Sequence, residues 1–197
     1  MGKRLSALPL LLLLAAACGG GSVATRSIAD LINPGLGPEY SGWLVGAVSR
    51  IATPEESQAY LALRDDAAAQ AFIESFWEKR DSAPAKPGNP LRETFEERSA
   101  AADRQFSEAG YLGRRTDRGT IYVLYGRPTK IDFEVPPTPG DSPIEVWSYD
   151  ASAPSGLDAR RPSGRYRFIK RGDLTVTYLP TQRRAVPGIP PGRSPRF

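Results

Sequence analysis

The feature that most constrains the fold is a change of hydrophobic period partway along the chain. Between residues 53 and 106, apolar side chains recur at the three- and four-residue spacing of helices, whereas from residue 120 they alternate at the two-residue spacing of strands. Helices that come first and strands that come later are typical of an α+β domain. We therefore predict a single α+β domain, in which N-terminal helices pack on a small antiparallel sheet and both termini are disordered.

Three helices are predicted from their start signals. Thr53-Pro54-Glu55-Glu56 combines a capping residue, a proline suited to the first turn and a capping-box glutamate, and predicts a helix to about residue 63. Asp65 and Asp66 predict a second helix to Arg80, whose aromatic stripe we interpret as core. Asn89-Pro90 opens a third helix to about residue 106, and its charged residues 92–98 are expected to face water or to pair along the surface.

Five strands are predicted from alternation in the second half, at 120–125, 130–135, 145–149, 165–170 and 174–179. The last two flank Arg171-Gly172-Asp173. This tripeptide also occurs in cell-adhesion motifs, but a tight hairpin turn explains it fully.

The N-terminus has the composition of an export signal. Lys3 and Arg4 precede an apolar stretch, residues 5–17, which is too short to span a bilayer but matches the hydrophobic region of a signal peptide. Small residues lead up to Ala17, and the only cysteine of the chain, Cys18, follows at once. The segment resembles the lipobox of bacterial lipoproteins, although Ala15 stands where that pattern usually has leucine. The alternative is an ordinary cleaved signal with an incidental cysteine.

The resemblance implies cleavage between Ala17 and Cys18 and attachment of lipid, palmitate included, to the Cys18 thiol. The expected organisation is a signal peptide at 1–17, a lipidated flexible tether at 18–40, the α+β domain at 41–180 and a basic Pro/Gly/Arg-rich tail at 181–197. The expected location is the cell membrane or outer membrane, with the domain facing the periplasm or exterior.

Composition limits the chemistry that the chain can perform. It has no histidine and one cysteine, so the commonest general base and the commonest zinc ligands are missing, and we expect no metal or cofactor. From Asp158 onward, ten Lys and Arg residues stand against two acids. A basic segment suits anionic surfaces, and because export argues against nucleic acid, a membrane surface is the alternative to a merely solubilising tail.

A family resemblance rests on residues spread through the predicted domain. It begins with Phe72-Ile73-Glu74-Ser75-Phe76-Trp77, continues through Asn89, Phe95 and Arg98, and is most specific at Gly113-Arg114-Arg115-Thr116-Asp117-Arg118-Gly119. These residues resemble the GWxTD domain family over roughly residues 43–179, with Arg114 in the place of the tryptophan in the family name. The resemblance implies a domain type and an envelope location, but no catalytic residues.

The motif residues have two interpretations. In the structural one, Thr116 and Asp117 form a turn that leads into the first strand. In the functional one, a polar ligand site lies at one sheet edge. Its candidate residues are Thr116, Asp117, Arg118, Tyr125 and Arg127.

Three functions follow as hypotheses. The leading one is a non-catalytic envelope lipoprotein that binds a protein, cell-wall or lipid partner. The second is a cell-wall hydrolase that would need Asp117 and a second acid, Glu134 or Glu145, about 5–10 Å apart. The third is binding to anionic membranes through the tail, whose arginines are Arg183, Arg184, Arg193 and Arg196.

Overall fold

A computed structural model describes residues 27–85 and 87–179. The predicted signal peptide, Cys18 and the basic tail lie outside these residues. The described chain forms five α-helices followed by a four-stranded antiparallel sheet, which confirms the α+β class. None of the described helices is long and apolar enough to cross a membrane.

The helices occupy α1 (Val48–Ile51), α2 (Pro54–Leu61), α3 (Asp66–Glu78), α4 (Pro90–Phe106) and α5 (Asp117–Tyr125). The three predicted helices are therefore confirmed as α2, α3 and α4. Their caps are the expected ones: Thr53 and Glu56 form a reciprocal capping box, while Asp65 and Asn89 accept hydrogen bonds from the first turns of α3 and α4.

The strands are β1 (Lys130–Glu134), β2 (Ile144–Ser148), β3 (Arg165–Arg171) and β4 (Leu174–Thr177), arranged in sequence order. Four of the five predicted strands are thus confirmed. The hairpin between β3 and β4 turns at Gly172, whose φ of +59° suits a residue without a side chain.

The fifth predicted strand, residues 120–125, is wrong, because these residues form helix α5. Six alternating residues can also present a helical face, and here Gly119, Val123 and Leu124 are buried together at helical spacing. Thr116 caps the start, since its hydroxyl accepts a hydrogen bond from the Gly119 amide, and Gly126, with φ of +76°, ends the helix. The sequence motif is therefore a helix start and not a turn into a strand.

The segment 27–40, predicted as part of the tether, packs on the helical half instead. Leu31 and Leu36 are buried beside Tyr60 and Phe76. Asn33 is fully buried, and its amide donates to the carbonyl oxygens of Tyr60 and Leu63 at 2.9 and 3.1 Å. Residues 27–40 thus belong to the folded unit, because scattered leucines without helical or strand period still supply core contacts.

The core continues from the helices into the sheet. Trp77 stacks at a tilt on Phe95 of α4, and Ala102 of α4 is buried with Val123 and Leu124 of α5. Phe106, at the end of α4, then contacts Trp147 of β2, with the ring centroids 5.4 Å apart. Helices α4 and α5 therefore form the layer that covers one face of the sheet.

Candidate functional site

The five candidate residues lie at the two ends of helix α5 and do not form one site. Thr116, Asp117 and Arg118 stand at its start, while Tyr125 and Arg127 stand at its end, about 13 Å further along the axis at 1.5 Å per residue.

The residues at the start of α5 bind the helix to the sheet. The Asp117 carboxylate accepts a hydrogen bond from the backbone amide of Thr177 at 2.5 Å. Arg118 forms ion pairs with Glu108 and Glu145, both at 3.1 Å. Glu108 in turn accepts from the amide and hydroxyl of Thr175, each at 2.9 Å. This set ties α5 to β2 and β4, and we call it the α5 clamp.

The first and last residues of the motif, Gly113 and Gly119, lie where there is no room for a side chain. A Cβ built on Gly113 would lie 1.9 Å from the carbonyl oxygen of Ala102, and one on Gly119 would lie 1.7 Å from the carbonyl oxygen of Gly113. The backbones of α4, the 113–115 turn and α5 are therefore in direct contact, and these are positions that only glycine fits.

Arg114 occupies the position of the family tryptophan and anchors the turn by charge. Its backbone amide and its Nε donate to the two oxygens of Asp103, at 2.8 and 2.7 Å. Partial burial acts to raise the pKa of Asp103, but the hydrogen bonds from Arg114 outweigh it and hold that pKa below its ordinary value. An ion pair with α4 thus anchors the 113–115 turn in this chain.

At the other end of α5, Tyr125 also has a structural partner. Its hydroxyl donates to Asp158 at 2.9 Å, and burial together with this hydrogen bond raises the pKa of Tyr125 above its usual range. Arg98, expected to lie on the surface of α4, instead donates to the carbonyl oxygens of Val123 and Leu124. Arg98 therefore satisfies the end of α5, while Arg127 is exposed to solvent.

The three acids of the hydrolase hypothesis are engaged separately. Asp117 is held by Thr177, Glu134 pairs with Arg165 and Arg167, and Glu145 pairs with Arg118 and accepts a 2.6 Å hydrogen bond from the Trp147 indole. In the described part of the chain, no cluster of three acidic or cysteine side chains could hold a metal ion.

A groove of about 310 Å³ opens on the helix-facing side of the sheet, next to Arg118. Phe168 is its buried floor and Phe133, on β1, is 70% exposed at its margin. Sequence reasoning missed this surface, although the alternation of Ile131 and Phe133 in an edge strand, continued by Val135, could have indicated it. The groove is lined by Arg118, Phe133, Pro143, Glu145, Phe168, Lys170 and Thr175.

The domain is thus of the two-layer α+β class, with helices packed over a four-stranded antiparallel sheet and with Asp117 and Arg118 joining the two layers. Residues 39–160 match the model of the GWxTD domain family, and the chain belongs to that family. Comparison with curated proteins and with solved structures gave no match.

Proposed function

We propose that this chain is a lipid-anchored protein of the bacterial cell envelope, whose domain acts by binding a partner and not by catalysis. The anchor is proposed from Cys18 and the export signal before it. The single observation that supports binding is a row of exposed apolar side chains on edge strand β1 and at the residue that follows it. Ile131, Phe133 and Val135 are 48%, 70% and 91% exposed.

Such a row is unusual for a strand that belongs to a well-packed domain. Ile131 and Phe133 stand opposite Trp147 and Glu145 of β2, on the sheet face that α4 and α5 cover elsewhere. The helix layer ends before β1, so these side chains extend the apolar face of the sheet into solvent. Contiguous apolar surface beside polar residues is typical of interaction sites. We call Ile131, Phe133 and Val135 the β1 row.

The candidate residues of α5 have a supporting role in this proposal. The α5 clamp fixes β2 and β4 against the helices and so holds the sheet, while the side chains that face solvent at the groove are free to meet a partner. The hydrolase hypothesis is not adopted, because its three acids serve other contacts and, of the three, Glu145 is the one that lines the groove.

Two experiments test the proposal. Intact-mass analysis of membrane-fractionated protein is expected to find a chain that begins at Cys18 and carries acyl groups, and Cys18→Ser is expected to abolish that mass. An unmodified, soluble chain would contradict the anchor.

Binding is tested with a photo-crosslinking amino acid placed at Phe133 in intact cells. The matched control is the same amino acid at Gln70, which is exposed on α3 and distant in sequence from the β1 row. We expect a discrete adduct from position 133 and background labelling from position 70. Equal labelling from both positions would contradict binding at this surface.

A further inference from the structure

The two edges of the sheet differ in how their backbone is protected. At the β4 edge, the outward amides of Thr175 and Thr177 donate to the carboxylates of Glu108 and Asp117. At the β1 edge, within the described residues, no group from outside β2 bonds to the strand backbone. An edge with free amides and carbonyls is a template for another strand. Edge β4 is thus closed by the α5 clamp, whereas β1 is open.

The side chains of β1 alternate strictly between apolar and charged. Ile131 and Phe133 share the helix-facing side with their β2 partners Trp147 and Glu145, and Lys130, Asp132 and Glu134 lie on the other side. Because strand pairing places side chains of one face directly opposite each other, this alternation specifies what a partner strand must carry. It must be apolar on one face and carry charges of complementary sign on the other.

We propose that β1 pairs antiparallel with β1 of a second copy of the chain, so that two sheets join across a two-fold axis at Asp132. This inference rests on the proposed function, because it names the partner of the same surface. In this register Ile131 stands opposite Phe133 of the second copy, and Lys130 stands opposite Glu134 of the second copy. Each contact occurs twice, as a two-fold interface requires.

The charge pattern favours a second copy over an unrelated strand. The pairing brings two Asp132 carboxylates together, but each has the ammonium group of its own Lys130 at 2.9 Å. Glu134, which Arg165 and Arg167 hold on the outer face, is opposite in charge to the Lys130 of the second copy that would stand beside it. The strand is therefore complementary to itself in both its apolar and its charged positions.

Disulfide capture in native membranes tests the register. With Asp132→Cys, the two introduced thiols face each other across the axis at a Cα separation of about 4.5–5.5 Å, which is within disulfide range. Val135→Cys is the matched control, because it is more exposed but its two copies would be about 20 Å apart at roughly 3.3 Å per residue. The unaltered chain controls for Cys18.

After mild oxidation, we expect a covalent dimer for Asp132→Cys at several times the yield of Val135→Cys and of the unaltered chain. Adding Phe133→Asp to Asp132→Cys is expected to reduce that yield at least fivefold, because a carboxylate then replaces the apolar contact on each side. Circular dichroism of each variant verifies folding. Equal dimer yields from Asp132→Cys and Val135→Cys would overturn the pairing.

The photo-crosslink at position 133 separates this inference from the proposed function. An adduct of twice the chain mass supports self-pairing. An adduct with a different protein, together with no excess of the Asp132→Cys dimer, overturns self-pairing and leaves the binding function standing. No discrete adduct and no dimer would overturn both.

Discussion

Replacement of Gly119 by alanine tests whether the family motif is built around backbone contact. Gly119 lies in the first turn of α5, and its φ is not in the left-handed region, so helix propensity alone predicts that alanine stabilises the protein by up to about 1 kcal/mol. The structure predicts the opposite sign. The new Cβ would lie 1.7 Å from the Gly113 carbonyl oxygen and 2.6 Å from its carbon.

The size of the destabilisation follows from how far the new Cβ and the Gly113 carbonyl oxygen must move apart. A Cβ–oxygen contact of ordinary length requires more than about 1 Å of movement, and both atoms belong to rigid backbone that Ala102 and Asp103 hold from the other side. Overpacking costs about 1–3 kcal/mol, and a 1.7 Å contact with backbone belongs in the upper part of that range, about 2–3 kcal/mol, which exceeds the gain in propensity of up to about 1 kcal/mol. We therefore expect Gly119→Ala to lower the free energy of unfolding by about 1–2 kcal/mol.

Urea unfolding followed by tryptophan fluorescence measures this change. Gly164→Ala is the control, because a Cβ at Gly164 meets no atom within 4 Å and the residue has no left-handed φ, so its effect should stay within about 0.5 kcal/mol. A Gly119→Ala protein as stable as the unaltered one would refute the close contact between α5 and the 113–115 turn.

Three further predictions address polar groups of the same region. Asp117→Asn is expected to lower stability by about 1 kcal/mol and to speed hydrogen exchange at the Thr177 amide, and unchanged exchange would contradict the bond across the β4 edge. Ser99→Ala is expected to raise the urea midpoint, because the Ser99 hydroxyl is fully buried and has no hydrogen-bond partner among the described residues. The hydroxyl lies beside a cavity of about 110 Å³, so a decrease of about 1 kcal/mol in the free energy of unfolding would instead indicate a bridging water there. The pKa of Asp103 is lower in the folded protein than in the unfolded chain, where it is about 3.9. The ionised carboxylate therefore stabilises the folded protein fully above that pH, and this stabilisation is lost as the pH falls through the lower pKa of the folded state. Stability measured from pH 5 to pH 2 should therefore fall less steeply in Asp103→Asn than in the unaltered protein.

The helical half was predictable because its signals are local. Thr53, Asp65 and Asn89 are side-chain caps that act within one turn, and each begins its helix where the sequence predicts. The strands β1 to β4 likewise followed from alternation. These elements could be predicted without knowing which distant residues they contact.

Helix α5 was mistaken for a strand because β-branched and aromatic residues dominate it. Ile121, Tyr122 and Val123 favour strands intrinsically, and the decisive information was tertiary: the buried face of α5 packs on Ala102 of α4. The packing of residues 27–40 was missed for a similar reason, since Asn33 acts through carbonyl groups about thirty residues away. The partners of Asp117 and Arg118 also lie on distant strands.

The residues that identify the family are, in this chain, those that hold the two layers together. Gly113 and Gly119 allow backbone contact, Thr116 starts α5, and Asp117 closes the β4 edge. Because these motif residues join the helix layer to the sheet, they specify the fold. Function then depends on other surfaces, whose positions the joined layers fix. Because Asp117 and Glu108 occupy the amides of β4, a second strand can add at β1 alone among the described strands, and this is also where apolar side chains are exposed. If the α5 clamp directs association to the β1 edge, a photo-crosslinking amino acid placed in β4 should give adducts in Asp117→Asn and none in the otherwise unaltered protein. Adducts from the same amino acid placed in β1 should persist in both.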